Sequence, residues 1–341
     1  MDFSFVDEIT RRHCAAGDFP SAVALIFDGD GTLYRRAFGT VTADMWFDMA
    51  SVSKLITTTL LLTLMEEGRL TPDDAIADHL PQAQFGTTTA RRLAGITVRQ
   101  IMTHTSGILP WFPFYADGGA FWTVLERALA GSEIQRGMVY SDLNFMLLAQ
   151  VFTHETGLSL RDGLEQRLKL PLGIRGLTYG PIDPAAACPT CYGNQIEQEM
   201  CADRGLAFSH WRPDGTEVRG TCNDGNAYYY FGGASGHAGI FATADGMAQL
   251  GQFYLTTRKP FFVEAMETRI CDRGLGFDRD DVYPEGCGHS GFTGTSLWLS
   301  RTHNVGAVLL TNRLYRTDGK RPLLTDFRRE MHNALLEHFP L

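Results

Sequence analysis

Hydrophobic and polar positions along the chain change period several times, and each change marks an element. Residues 3 to 16 place apolar side chains on one face at helical spacing and predict an amphipathic helix. Ser21 to Phe27 and Leu33 to Phe38 flank Asp28-Gly29-Asp30-Gly31-Thr32, turn chemistry that predicts a β-hairpin. From about Ser51 the pattern is helical and apolar on nearly every side, so the helix is buried all round, and Gly68 marks its end. Val98 to Thr103, Ala120 to Leu129, Leu143 to Glu155 and Arg161 to Leu168 read as further helices. Residues 180 to 235 are rich in glycine, cysteine and aromatics without a period, the mark of an extended insertion on the surface or over a cleft. Gly288 to Gly291, Thr295 to Ser300 and Val305 to Thr311 read as neighbouring strands, and Leu323 to Leu336 as a closing helix.

Strands at both ends with helices between them predict an α+β fold: an antiparallel sheet built from the N- and C-terminal strands and flanked by helices, plus a mostly helical lobe. No repeat, low-complexity tract or linker divides the chain, so residues 1–341 are expected to form one domain. Its α/β lobe takes about 1–50 and 270–341 and its helical lobe, with insertions, about 51–269; the cleft lies between them.

Composition narrows the function. At 341 residues, with 44% hydrophobic and 20% charged content, the chain buries a sizeable core. A net charge of -9 and the absence of any Lys/Arg run exclude nucleic acid as an expected partner. The opening residues are acidic where a signal peptide is basic, and no apolar run reaches membrane-spanning length, so the expected location is the cytoplasm, with no membrane partner. The seven cysteines are odd in number and scattered, which fits reduced thiols. Cys188-x-x-Cys191, with Cys201 and Cys222 downstream, also raises a structural zinc, but the second pair lacks the tight spacing of the first, and free thiols in an inserted loop are the preferred reading.

Three short motifs carry candidate chemistry: Ser51-x-x-Lys54, Tyr140-Ser141-Asp142 just ahead of a helix, and His289-Ser290-Gly291 on a predicted strand. Ser51 and Lys54 share one helix face, which brings an amine within reach of a hydroxyl proton. Each motif alone has an ordinary explanation, a helix cap with a snorkelling lysine or a capped helix start. Their conjunction and order do not.

With these motifs the sequence resembles the penicillin-recognising serine hydrolases, in the branch of class C β-lactamases, D,D-peptidases and related esterases. The resemblance extends to Met102 to Ile108, Gly236 to Asp245 and Gly291 to Trp298, and so covers nearly the whole chain. It implies a β-lactamase/transpeptidase-like fold and an acyl-enzyme at Ser51, with Lys54 and Tyr140 sharing the general base and general acid roles. It also implies an oxyanion hole from the backbone N–H groups of Ser51 and Phe292, with Gly291 permitting close approach of the strand. Losing one such donor raises a barrier by about 3 kcal/mol. No metal or organic cofactor is called for, and the partner is a small-molecule substrate: an ester, a small amide or D-amino-acid peptide, or a β-lactam.

Two departures from the family pattern shape that expectation. His289 stands where β-lactamases usually carry lysine, and Asp142 where many members carry asparagine. The first removes a permanent cation and ranks esterase or peptidase activity above efficient β-lactam hydrolysis. The second adds a carboxylate near Lys54, keeps the lysine protonated and shifts the basic role towards Tyr140.

Two other readings compete. Asp28-Gly29-Asp30-Gly31-Thr32 resembles the opening motif of haloacid-dehalogenase-type Mg²⁺-dependent phosphatases, with Asp28 as nucleophile and Asp30 as acid/base, but a hairpin is the wrong context for it. A catalytically inactive binding protein of the same fold is disfavoured by the intact serine, lysine and tyrosine. His104 and His237 are expected to be structural. The aromatics at 111–115 and 228–231 suit an acyl pocket or lobe packing equally.

Overall fold

A computed structural model describes residues 2–341. Ten strands, β1 (Ala22–Phe27), β2 (Thr32–Phe38), β3 (Phe47–Asp48), β4 (Leu177–Tyr179), β5 (Cys191–Tyr192), β6 (Glu217–Val218), β7 (Ile240–Ala242), β8 (Cys287–Ser290), β9 (Ser296–Ser300) and β10 (Val305–Thr311), form three sheets. The main sheet has five strands in the order β2-β1-β10-β9-β8, and all its pairs are antiparallel. N- and C-terminal segments therefore meet at its centre, where Ala22 to Phe27 run against Thr311 to Gly306.

Strand β1 shows why the hydrophobic run at its sequence does not alternate. Ala22, Ala24 and Ile26 face the helices Ser4–Ala16 and Thr325–His338 through Val6, Ile9, Phe327, Met331 and Leu335. Val23, Leu25 and Phe27 face the large core that holds Met247, Leu250 and Tyr254 of the helix Ala244–Thr256. A strand covered on both faces is apolar throughout. The resulting arrangement is the expected α+β fold: antiparallel strands from both termini, flanked by helices, with the helical middle of the chain beside them.

The helix Ser53–Glu66 runs through the large core with Ser53 to Leu62, Leu64 and Met65 all buried. Two of its buried threonines are hydrogen-bonded, Thr57 Oγ1 donating to the Gly236 carbonyl at 2.7 Å and Thr59 Oγ1 pairing with the Tyr254 hydroxyl at 2.8 Å, whereas Thr58 Oγ1 has no partner among the described residues.

Residues 28–32 close the β1–β2 hairpin. Asp28 Oδ1 accepts from the Asp30 and Gly31 amides, each at 2.9 Å, so this carboxylate is spent on holding a turn. An antiparallel hairpin does not present the motif at the end of a parallel strand, and the phosphatase reading of Asp28 and Asp30 lapses.

Elements without a period were missed from sequence. The insertion contains the β5–β6 pair and the helix Gln195–Ala202, and the three-stranded sheet β3-β7-β4 joins segments that are two or three residues long. Among the described residues no helix is long and apolar enough to cross a membrane.

Candidate active site

The geometry around Ser51 starts one strand earlier. β3 pairs with β7 through Phe47 and Asp48, and the Met49 amide continues the ladder to the Ile240 carbonyl at 2.9 Å. Ala50 then takes a left-handed conformation, φ +44°, which an L-residue adopts only under constraint. Asp48 supplies the constraint: its Oδ1 accepts from the Ala50 amide at 2.9 Å and its Oδ2 from the Asn223 amide at 2.6 Å. Burial pushes the Asp48 carboxyl up to about 6 despite those two amides. Ser51 consequently sits on a short 3₁₀ turn, Ala50–Val52, just ahead of the helix rather than inside it.

Lys54 Nζ is the hub. It lies 3.0 Å from Ser51 Oγ, 2.7 Å from Asp142 Oδ1 and 3.4 Å from the His237 carbonyl, and it stands 4.6 Å from the centre of the Tyr140 ring. Its side chain has no solvent exposure. Burial favours the neutral amine, but the Asp142 carboxylate and the Tyr140 phenol outweigh it and raise the lysine above its ordinary value.

Tyr140 and Asp142 are placed by His104, a residue of positive φ (+58°). Its carbonyl accepts from the Val139 amide at 2.9 Å, its Nδ1 accepts from the Ser141 amide at 3.0 Å, and its ring packs 4.5 Å from that of Tyr140. A protonated imidazole has no acceptor at Nδ1; burial and the Lys54 cation push this histidine well below its ordinary value, consistent with the neutral form. Ser141 caps the helix Asp142–Thr156, so Asp142 opens that helix.

The edge strand β8 brings the third motif alongside. Thr293 Oγ1 donates to the Asp48 carbonyl at 2.7 Å and Thr295 Oγ1 to the Met49 carbonyl at 3.1 Å, which fastens the β8–β9 connection to the Ser51 turn. A Cβ at Gly291 would lie 2.5 Å from the Met49 carbonyl oxygen, so only glycine allows this approach. The Phe292 amide, next in line, donates to no protein acceptor among the described residues. His289 is buried with its Nδ1 on the Ser290 carbonyl at 2.9 Å, and burial together with Lys54 and Arg273 pushes it well below its ordinary value. It contributes no cation.

A cavity of about 870 Å³ opens over these groups. Ser51, Tyr140, Asp142, Ser290, Gly291 and Phe292 line it, while Lys54 and His289 lie behind its wall. Asp224, Glu197, Arg313 and Arg328 also line it and drew no attention in the sequence. Asp224 lies in the aperiodic insertion, and its Oδ1 accepts from the Ala227 amide at 2.7 Å and pairs with His237 Nε2 at 2.9 Å. His237 Nδ1 in turn meets Ser235 Oγ at 2.7 Å. Of the aromatics, Trp111 reaches the cavity, whereas Tyr115, Phe208, Trp211 and Tyr229 pack on one another.

Among the described residues the one group of three potential ligands within 4.8 Å of one another is Asp142, Asp224 and His237, and it contains no cysteine. The thiols of the insertion are dispersed: Cys191 accepts from Asn223 Nδ2 at 2.9 Å, and Cys201 meets the Tyr115 hydroxyl at 3.4 Å.

Comparison with known proteins agrees with this geometry. The family model described as Beta-lactamase matches residues 6–327. An N-acetylmuramyl-L-alanine amidase of Bacillus subtilis is 26% identical over 90% of this chain and 80% of its own length. A putative D-alanyl-D-alanine carboxypeptidase of Escherichia coli K12 is 24% identical over 86% of this chain and 79% of its own. Among solved structures, EstCE1, a hydrolase with promiscuous acyltransferase activity, superposes with a TM-score of 0.69 at 20% identity, covering 95% of this chain and 97% of its own.

Proposed function

The chain belongs to the β-lactamase family and is a serine hydrolase, and from that membership we propose that it works through an acyl-enzyme at Ser51. The observation that carries the proposal is the Lys54 ammonium held between Ser51 Oγ at 3.0 Å and Asp142 Oδ1 at 2.7 Å, with Tyr140 against it. Ser51 Oγ attacks the substrate carbonyl carbon and gives its proton to Tyr140, which acts as a phenolate held by the Lys54 ammonium and becomes the phenol. Lys54, kept cationic, stabilises the phenolate before the transfer and the negative charge on Ser51 Oγ as the O–H bond breaks. The tetrahedral oxyanion is received by the amides of Ser51 and Phe292. Its collapse breaks the acyl C–O or C–N bond, the leaving group takes the proton from Tyr140, and water attacking the ester by the same route in reverse frees Ser51.

An ester or small amide, including a D-amino-acid peptide, fits better than a β-lactam, because the third motif offers neutral His289 where a cation would meet the β-lactam carboxylate. This reading treats 1–341 as one catalytic domain with the cavity between its lobes. The seven unpaired thiols support a reducing location such as the cytoplasm.

Intact-mass spectrometry after exposure to a fluorophosphonate tests the nucleophile. One adduct is expected on the wild type and none on Ser51→Ala; an adduct that survives the substitution removes Ser51 from the mechanism. Parallel incubation with a penicillin is expected to give little or no turnover.

A further inference from the structure

The cavity above Ser51 has oppositely charged ends. In one direction Lys54 leads to Asp142, and Asp224 stands beside it, their ligand atoms within 4.8 Å of one another. One ammonium and the His237 imidazole thus face two carboxylates. Each carboxylate meets its protein donors through Oδ1, and neither Oδ2 has a hydrogen-bond partner among the described residues. Glu197 also lines that end: only 9% exposed, with an Oε2 that has no hydrogen-bond partner among the described residues, it is pushed up to about 8 by burial and the nearby Asp224 charge, and so is neutral there and leaves the charge to Asp142 and Asp224.

In the other direction Gly291 leads to Phe292, whose carbonyl accepts from Arg313 Nε at 2.7 Å, and Arg328 donates to the Thr295 carbonyl at 3.1 Å. Arg313 and Arg328 are 7% and 8% exposed, and among the described residues neither is in an ion pair and Arg328 Nε has no acceptor. Of the neighbouring cations at the rim, Arg316 is paired with Asp318 and Arg321 with Glu199, while Lys320 is in no ion pair among the described residues. Burial and mutual repulsion push Arg313 down to about 10. Arg313 Nη1 also donates to the Pro322 carbonyl at 2.6 Å, so the two buried guanidiniums, neither in an ion pair among the described residues, keep their charge and their remaining donors for a carboxylate in the cavity they line.

We propose that the cavity is built for a zwitterionic amino-acid or short-peptide derivative, its free ammonium received by the Oδ2 atoms of Asp142 and Asp224 and its free carboxylate by Arg313 and Arg328, with the scissile carbonyl at Ser51 between them. The proposal rests on the acyl-enzyme reading and adds the substrate's charge pattern. It departs from carboxylate recognition by a third-motif lysine, since this chain has His289 there.

The test is competition against fluorophosphonate labelling of Ser51 by four forms of D-alanyl-D-alanine: free, N-acetylated, C-amidated and capped at both ends. The free dipeptide is expected to protect at concentrations roughly tenfold or more below either singly capped form, since each cap removes a charge-assisted contact. In Asp224→Asn the advantage of the free amine is expected to shrink, and in Arg328→Gln that of the free carboxylate. Should Arg328→Gln not fold, Arg313→Lys, which keeps the charge and loses the fork, reads the same end. Absence of labelling on the wild-type enzyme would sink the acyl-enzyme reading. Normal labelling with equal protection by all four forms, or none by the free dipeptide, overturns the charge proposal alone.

Discussion

Lys54 Nζ stands 2.7 Å from Asp142 Oδ1, so an ammonium with no solvent exposure is matched by a carboxylate from a helix remote in the chain. Desolvation alone would make this lysine a neutral amine suited to take a proton. With the carboxylate in contact it stays charged and can only donate, which hands the acceptor role to Tyr140. The same pairing stabilises the fold: the lysine's folded value is raised, so its contribution is present through neutral pH and is lost only as pH climbs past the folded value.

Asp142→Asn tests this division of roles. Activity that needs a cationic Lys54 is lost as pH rises through the lysine's pKa, and removing the carboxylate lowers that pKa. The alkaline limb of the kcat/KM profile is therefore expected to move to lower pH, with a fall of roughly tenfold or more at pH 8. Increased kcat/KM near neutrality would show instead that the neutral amine is the base.

Ala50 offers a separate handle on the nucleophile. Its φ of +44° costs an L-residue about 1–2 kcal/mol, a strain that glycine does not feel. Glycine also adds unfolded-state freedom of about 0.5–1 kcal/mol, so Ala50→Gly is expected to change stability by less than about 1 kcal/mol. A β-branched residue resists this conformation more strongly, and Ala50→Val is expected to destabilise by about 2 kcal/mol or more and to slow fluorophosphonate labelling. Urea denaturation and labelling rates measure both; equal stability of the two variants would mean that the turn carries no strain.

Much of this site was legible because its parts recur in short, ordered motifs. Ser51, Lys54 and Tyr140 stand in ordered motifs, and their roles are what the family resemblance implies; the carboxylate of the second motif, Asp142, lies 2.7 Å from Lys54. The main sheet was legible because β1 and β10 are apolar runs bounded by turns. Strands β3, β4 and β7 were not, since two or three residues cannot show a period, although they set the turn before Ser51. Asp224 lies in an aperiodic segment, and that Arg313 and Arg328 are buried without an ion pair among the described residues is a product of the fold, which local spacing does not show. Charge balance within a cavity is a tertiary property that no local pattern encodes.

Gly291 is where strand approach and oxyanion stabilisation meet. An added Cβ would sit 2.5 Å from the Met49 carbonyl oxygen, a backbone atom that cannot swing aside. Gly291→Ala is therefore expected to push the strand and the Phe292 amide away from Ser51. Loss of one oxyanion donor corresponds to a fall in kcat of roughly 10²–10³ with little change in KM. A loss under about threefold would place the second donor elsewhere.

Asp48 gives the protein an unusual pH response. Its carboxyl is pushed up to about 6 in the folded state, against an ordinary value of 3.8. As pH rises from about 4 to about 6 the unfolded chain releases this proton before the folded one does, so this residue's contribution to stability falls over that window and is level above it. The shift corresponds to roughly 3 kcal/mol. Asp48→Asn removes the titration and also loses one of two amide contacts, because an amide nitrogen cannot accept from the Asn223 or Ala50 N–H. The second effect is independent of pH, so the two separate in one experiment. The stability of the wild type minus that of the variant, from urea unfolding, is expected to be larger at pH 4 than at pH 7 by on the order of 2–3 kcal/mol. A difference that stays constant would mean that Asp48 is ionised throughout, its charge carried by the two amides and by Arg212.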